Sequence, residues 1–164
     1  MVPEALRAAL SGADTLVIAV SGGIDSLTLT AAAVQVRAPG TTVLCHARSP
    51  AVPADALGRV QDMAVRTGLP LRLVDAGEFD DPAYRANPVN RCYFCKGHLY
   101  TTLSKLGAVV ASGTNTDDLG DYRPGLQAAA QHGVRHPFVE AGLDKAAVRA
   151  LARALGLGAL AQLP

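Results

Sequence analysis

Residues 15–29 read Thr-Leu-Val-Ile-Ala-Val-Ser-Gly-Gly-Ile-Asp-Ser-Leu-Thr-Leu, and the rest of the chain is organised around them. Residues 15–20 form a short apolar run with several β-branched side chains, which predicts a strand covered on both faces. Ser21, Gly22 and Gly23 interrupt this run with small residues, so the backbone can turn sharply. After this turn, the spacing of the apolar side chains predicts a helix that packs back on the sheet.

The junction of strand, turn and helix predicts an anion site, because free backbone N–H groups and the helix dipole converge there. Ser21 and Ser26 add hydroxyl donors around that point. The turn is not a Walker loop, since the lysine and the four-residue spacer between glycines are missing. The alternative interpretation is a plain strand-to-helix turn whose glycines serve packing only.

Composition narrows the class of protein. The chain has 164 residues, 49% of them apolar and 18% charged, which suits a single globular domain over residues 1–164 with no need of disulfides. A net charge of +1 and only 4% aromatic residues argue against a nucleic-acid or membrane partner. The sequence shows no signal peptide and no apolar stretch of membrane-spanning length, so the expected compartment is the cytoplasm.

Strands and helices alternate along the chain. Further strands are predicted at residues 41–46, 71–75, 108–112 and 134–138. Helices are predicted at residues 3–10, 24–38, 54–67, 93–105, 124–131 and 145–155. Because successive parallel strands are joined by right-handed crossovers, the expected fold is α/β, a five-stranded parallel sheet in a three-layer α/β/α arrangement.

Polar loops at the carboxyl ends of the strands mark the expected ligand edge, where open parallel sheets bind their ligands. Asp117, Asp118 and Asp121 follow the fourth strand, and paired carboxylates there could hold Mg²⁺ between phosphates. The alternative is a solvated turn with capping duties. Arg123 comes next, with a guanidinium suited to a phosphate. His46 ends the second strand, either lining the pocket or capping the strand.

Two of the three cysteines form a second motif, Arg-Cys-Tyr-Phe-Cys-Lys at residues 91–96. Cys92 and Cys95 lie at a predicted helix start, where basic neighbours and the helix dipole favour thiolates. Such a pair suits redox chemistry, a persulfide carrier or two ligands of a metal. Two half-buried structural cysteines are the alternative. Cys45 lies inside the second strand and is expected to be a packed core thiol.

Ser-Gly-Gly-Ile-Asp-Ser at residues 21–26 resembles the signature of the PP-loop ATP pyrophosphatases, which bind the pyrophosphate portion of ATP there. Residues 91–96, Gly-Thr-Asn-Thr-Asp-Asp at 113–118 and Asp-Tyr-Arg-Pro-Gly at 121–125 resemble one subgroup closely. That subgroup is the ATP-dependent sacrificial sulfur transferases, which mature the nickel-pincer cofactor of lactate racemase. The resemblance covers nearly the whole chain.

The resemblance implies a fold of the adenine nucleotide alpha-hydrolase (HUP) type that binds ATP and Mg²⁺. The residues expected to bind the nucleotide are Ser21, Gly22, Gly23, Asp25, Ser26, Ala47, Gly113, Asp118 and Arg123. Asp25 is expected to fix the loop or Mg²⁺, and it forms the expected catalytic set with Cys92 and Cys95. In the family these two cysteine positions belong to a set of three that holds an iron–sulfur cluster in some members. In other members a protein cysteine supplies the sulfur.

The implied activity is adenylation of a small-molecule carboxylate, with release of pyrophosphate, in service of sulfur transfer. Two alternatives remain open. One is a PP-loop ligase in which ammonia or an amine attacks the adenylate, and the other is a nucleotide-binding module without turnover.

The chain departs from the family near residues 163–164, where a Pro-Cys-x-x-Ser-Arg segment and a further domain would follow. The third cluster cysteine and part of the substrate site would lie in that segment. We therefore expect either a partner protein that supplies it or a stand-alone derivative with changed chemistry. A homo-oligomer is also expected, because the missing domain would otherwise cover surface that this chain leaves bare.

Overall fold

The computed structural model describes residues 2–48, 54–75, 109–120 and 134–163, and the structural statements below concern these ranges. The strands are β1 (Leu16–Ala19), β2 (Thr42–Arg48), β3 (Leu71–Asp75) and β4 (Val109–Ala111). The helices are α1 (Glu4–Leu10), α2 (Ile24–Val36), α3 (Ala54–Thr67), α4 (Pro137–Glu140) and α5 (Lys145–Ala154). Short 3-10 helices occupy Thr116–Gly120 and Leu160–Gln162. The predicted helices at 93–105 and 124–131 lie outside the described residues.

The described strands are all parallel and lie in the order β3-β2-β1-β4. The chain therefore runs outward from β1 to β3 and then returns to the other side of β1. This reversal creates a topological switch point between β1 and β4, and open α/β sheets bind ligands at the carboxyl ends of the strands that flank such a point. The loops that begin at Ser21 and at Ser112 lie there.

Strand β1 is buried on both faces, as the sequence predicted. Leu16, Val17 and Ile18 are each at most 4% exposed, and successive side chains of a strand point to opposite faces. Strands β2 and β4 flank β1 in the sheet. A strand with neighbours on both edges and side chains packed on both faces holds its carboxyl end rigidly, so the loop that follows starts from a fixed position.

The prediction of a strand at residues 134–138 is wrong. Arg135 makes a single parallel bridge beside β4, donating its N–H to the Val110 carbonyl at 2.9 Å and accepting from the Ser112 N–H at 3.0 Å. The ladder ends there because Pro137 has no N–H and begins helix α4. The described sheet therefore has four strands and one bridging residue rather than five strands.

Helix α2 packs between α3 and α5 and carries the candidate site at its amino end. A buried apolar cluster joins the three helices to the chain's last residues through Ile24, Leu27, Met63, Ala152, Leu157 and Ala161. Because this cluster begins at the first residue of α2, packing fixes the helix end at which the ligand is expected. No helix in the described ranges has the length and apolarity needed to cross a membrane.

Candidate functional site

The loop between β1 and α2 directs the amino end of a 13-residue helix toward the switch point. Gly23 is the residue before the helix, and within the described residues no side chain caps that end. The first turn of a helix carries N–H groups with no partner inside the helix, and the dipole adds positive potential. An uncapped helix end at this position can therefore bind an anion.

Two serine hydroxyls meet within the loop, and their expected role as donors to an anion stays a prediction. The buried Ser26 Oγ accepts the backbone N–H of Ser21 at 3.1 Å and lies 3.4 Å from the Ser21 Oγ. The Ser21 Oγ in turn accepts the N–H of Gly23 at 3.3 Å. The contacts at 3.3 Å and 3.4 Å are long, so a phosphate oxygen could replace them.

Helix α3 holds the loop from the side through Gly22. This residue has φ +91°, which favours glycine, and a Cβ there would lie 2.7 Å from both the Cβ and the carbonyl oxygen of Ala56. The Arg59 Nε donates to the Gly22 carbonyl oxygen at 2.7 Å. Sequence analysis missed Arg59, although its place early in the helix after β2 puts it at the ligand edge.

Gly113, after β4, packs directly on the first turn of α2. A Cβ at Gly113 would lie 2.7 Å from the backbone nitrogen of Ser26 and 2.8 Å from the carbonyl carbon of Asp25. The structure therefore brings together the two loops that were predicted to share the nucleotide. Ala47 lies near the carboxyl end of β2, paired with Val74. That Ala47 and Gly113 contact adenosine stays a prediction.

Asp25 forms an ion pair with Lys145 across the mouth of the loop. The Lys145 Nζ donates to the Asp25 Oδ2 at 2.9 Å, and the two side chains are 23% and 25% exposed. The other carboxylate oxygen of Asp25, Oδ1, is buried and has no hydrogen-bond partner within the described residues. Sequence analysis missed Lys145, and the one signal was its place directly after the Asp144 cap of α5.

The carboxylates after β4 support the loop that carries them. The Asp118 Oδ2 accepts the N–H of Asn115 at 3.0 Å, and the Asn115 Oδ1 accepts the N–H of Asp117 at 2.9 Å. The Asp117 Oδ2 also accepts the backbone N–H of Lys145 at 3.0 Å. These contacts match the turn-and-capping interpretation, and binding of Mg²⁺ or nucleotide by Asp118 stays a prediction. Asp121 lies outside the described residues.

A serine and a histidine meet at the carboxyl end of β4. The Ser112 Oγ lies 2.7 Å from the His136 Nδ1 and 3.0 Å from the Thr114 Oγ1. Burial lowers the pKa of His136, against the opposing pull of Glu140 and Asp118. The imidazole is therefore mainly neutral at pH 7. Its contact with Ser112 joins the segment that carries His136 to the carboxyl end of β4. Sequence analysis missed this pair.

Two residues of β2 are structural. The His46 ring is 2% exposed, and its Nδ1 donates to the Val20 carbonyl at 2.7 Å, joining the carboxyl ends of β1 and β2. Of the two roles that the sequence left open for His46, lining the pocket or capping the strand, the structure shows the capping role. Cys45 is 1% exposed, and burial raises the pKa of its thiol despite the nearby charge of Arg72. The prediction of a packed core thiol is confirmed.

Alkylation should therefore spare Cys45. Thiolate is the reactive form of cysteine, so a buried thiol with a raised pKa should react with iodoacetamide far more slowly than Cys92 or Cys95. Mass spectrometry after timed alkylation of the native chain measures this, with alkylation in urea as the control for equal reactivity. Modification of Cys45 first would contradict the placement of the reactive thiols. Cys92, Cys95 and Arg123 themselves lie outside the described residues.

No family model matches the chain. Sequence matches to curated proteins, in contrast, extend over more than nine tenths of it. An uncharacterized protein of Synechocystis is 40% identical over 159 residues, which are 94% of this chain and 59% of that protein. The pyridinium-3,5-bisthiocarboxylic acid mononucleotide synthase of Lactiplantibacillus plantarum is 30% identical over 157 residues, 93% of this chain and 57% of the enzyme. The chain thus spans less than two thirds of the length of these relatives.

Solved structures share the fold. The NH3-dependent NAD synthetase of Campylobacter jejuni matches with a TM-score of 0.71 at 15% identity, over 93% of this chain and 69% of that chain. The U34-tRNA thiolase NcsA of Methanococcus maripaludis, solved with its 4Fe-4S cluster, matches with a TM-score of 0.68 at 16% identity, over 93% and 62%. These likenesses confirm the fold, a three-layer α/β/α arrangement with a parallel sheet.

Proposed function

We propose that this chain binds ATP at residues 21–26 and adenylates a small-molecule carboxylate, in service of sulfur transfer. The observation that carries the proposal is the loop at the switch point, where an uncapped helix end and two serine hydroxyls converge beside the Asp25–Lys145 pair. Backbone N–H groups and a lysine suit the negative charge of a pyrophosphate group.

The Asp25 Oδ1 has no hydrogen-bond partner in the part of the chain that the structure describes, which supports a metal–nucleotide complex over a simple anion. A buried carboxylate oxygen with no donor is costly, so a ligand that brings a donor or a cation stabilises it. Mg²⁺ prefers carboxylate and phosphate oxygens, and the Asp25 Oδ1 fits that preference. Asp25 would hold the ion beside the phosphates, and the ion would supply neutralisation of phosphate charge.

The proposed reaction has two steps. A carboxylate oxygen of the substrate attacks the α-phosphorus of ATP, the bond from that phosphorus to the bridging oxygen breaks, and pyrophosphate leaves with the electron pair. A sulfur nucleophile then attacks the acyl carbon, and AMP leaves. The α2 amino end and the Lys145 ammonium would stabilise the charge that develops on pyrophosphate in the first step.

The sulfur step rests on similarity and on the Cys92–Cys95 motif. The L. plantarum relative is named for a bisthiocarboxylic acid product, and the thiolase of the same fold was solved with a 4Fe-4S cluster. We propose that Cys92 and Cys95 carry a persulfide or two ligands of an iron–sulfur cluster.

An assay of pyrophosphate release tests the proposal. The chain is incubated with ATP, Mg²⁺ and a panel of carboxylates that includes pyridinium dicarboxylate mononucleotides, and pyrophosphate is measured. Pyrophosphate release that depends on the carboxylate supports adenylation. If the final product forms with sulfide and not with ammonia, the reaction is sulfur transfer and not amide formation. ATP binding without release for any carboxylate would instead identify a nucleotide-binding module.

Ser26→Ala should weaken ATP binding and leave the fold intact. The substitution removes a hydroxyl that closes the loop and would contact phosphate, and one hydrogen bond to a charged group contributes about 1.5–3 kcal/mol. Calorimetry with ATP and Mg²⁺ measures the change. Ser11→Ala is the matched control, since its exposed hydroxyl donates to the Arg7 carbonyl, away from the loop. Equal ATP affinity in both variants would contradict the proposed site.

A further inference from the structure

Among the described residues, the anion loop (residues 21–26) is contacted from outside by two side chains, Lys145 at Asp25 and Arg59 at Gly22. The Arg59 Nε donates to the carbonyl oxygen of Gly22 at 2.7 Å, from a partly buried position in helix α3. The bond joins residues 37 positions apart, so it exists only in the folded chain. Neither the proposed reaction nor the ion pair of Asp25 uses this arginine.

The direction of one carbonyl group determines the direction of the next N–H group. Peptide bonds in the described residues are trans, and in a trans peptide the C=O and N–H vectors are antiparallel. With the Gly22 carbonyl directed at α3, the N–H of Gly23 points away from α3. Within the described residues the Gly23 N–H donates to the Ser21 Oγ alone, and at 3.3 Å this bond is long, so the N–H can turn to a phosphate oxygen.

Glycine on both sides makes this peptide easy to reverse. A flip of the peptide between Gly22 and Gly23 would move φ of Gly23 from −84° to the positive region, which glycine tolerates as readily as the negative one. The flipped peptide would present its carbonyl oxygen to the anion and repel it.

We infer that Arg59 is a positioning residue, which holds the peptide between Gly22 and Gly23 in the orientation whose N–H binds pyrophosphate. The inference rests on the proposed use of this loop for the phosphates of ATP. Arg59 acts through the loop backbone, so it contributes to affinity without needing to touch the nucleotide.

Inorganic pyrophosphate is the probe, because it tests the loop without adenine or turnover. Calorimetry on the full chain should show Arg59→Gln binding pyrophosphate about tenfold more weakly than wild type, the effect of one hydrogen bond to a charged group. Arg66→Gln is the matched control, because Arg66 makes the same kind of bond from the same helix to the Gly156 carbonyl, away from the loop. Its affinity should equal that of wild type.

A double-mutant cycle distinguishes positioning from a general structural or charge effect. In the Gly23→Ala background a positive φ at residue 23 is strained, whereas a Cβ in the present conformation meets only the Ser21 Oγ at 3.6 Å. Arg59→Gln should therefore cost much less affinity in that background than in wild type. Arg59→Lys keeps the charge without an N–H at Nε, and should give intermediate affinity.

Equal losses from Arg59→Gln in both backgrounds would overturn the inference, as would wild-type affinity in Arg59→Gln. If Arg59→Gln does not fold, Arg59→Lys decides, and unchanged affinity there counts against positioning. A wild-type chain that does not bind pyrophosphate overturns it as well. If the wild-type chain binds pyrophosphate but does not convert ATP to pyrophosphate, the proposed function alone is contradicted. The pyrophosphate affinities of the variants then still test the role of Arg59.

Discussion

Gly22→Ala is expected to destabilise the fold by about 2–5 kcal/mol and to weaken pyrophosphate binding by about tenfold or more. An L-residue at φ +91° costs about 1–2 kcal/mol from the backbone alone. The new Cβ would also lie 2.7 Å from the Ala56 carbonyl oxygen, and such overpacking costs about 1–3 kcal/mol. Relief of the clash requires α3 to move away from the loop, which would break the bond from Arg59.

Urea unfolding measures this change in the free energy of unfolding. The matched control is Gly40→Ala, since Gly40 also has a positive φ, +81°, and a Cβ there meets no described atom within 4 Å. Gly40→Ala should therefore show the backbone cost alone, about 1–2 kcal/mol, with unchanged pyrophosphate affinity. If Gly22→Ala were no more destabilising than Gly40→Ala, the close packing of the loop against α3 would be refuted.

The second large effect concerns the ion pair of Asp25 and Lys145, whose two partners should behave differently. Asp25→Asn removes the carboxylate proposed to hold Mg²⁺, so pyrophosphate release from ATP should fall by about a hundredfold, the upper range for a contact with a charged group. Without metal, the same variant should bind pyrophosphate at least as tightly as wild type, because a negative charge has left the anion site.

Lys145→Met should weaken pyrophosphate binding both with and without Mg²⁺. The substitution removes the cation and leaves the Asp25 carboxylate unpaired beside the anion. Calorimetry at two Mg²⁺ concentrations separates the two variants, and Arg153→Met, an exposed cation on the same helix, is the control for net charge. Identical behaviour of Asp25→Asn and Lys145→Met without metal would show that this pair does not face the bound anion.

Most of the described fold could be predicted from local pattern. Strands β2 and β3 and helices α3 and α5 lie within two residues of their predicted bounds, because runs of β-branched residues, helical spacing and caps act over neighbouring positions. The strand at 134–138 failed for an equally local reason. Its apolar residues have the composition of a strand, but Pro137 cannot extend the ladder and starts a helix instead.

The loop at residues 21–26 follows from local sequence: a buried strand, two glycines and a helix, with Ser21 and Ser26 in reach of each other over five positions. Which side chains surround this loop depends on the packing of distant elements. The bonds of Arg59 to Gly22 and of Lys145 to Asp25 span 37 and 120 residues. Such contacts depend on how helices α3 and α5 pack around α2, and no local pattern encodes the distance between elements so far apart in the chain.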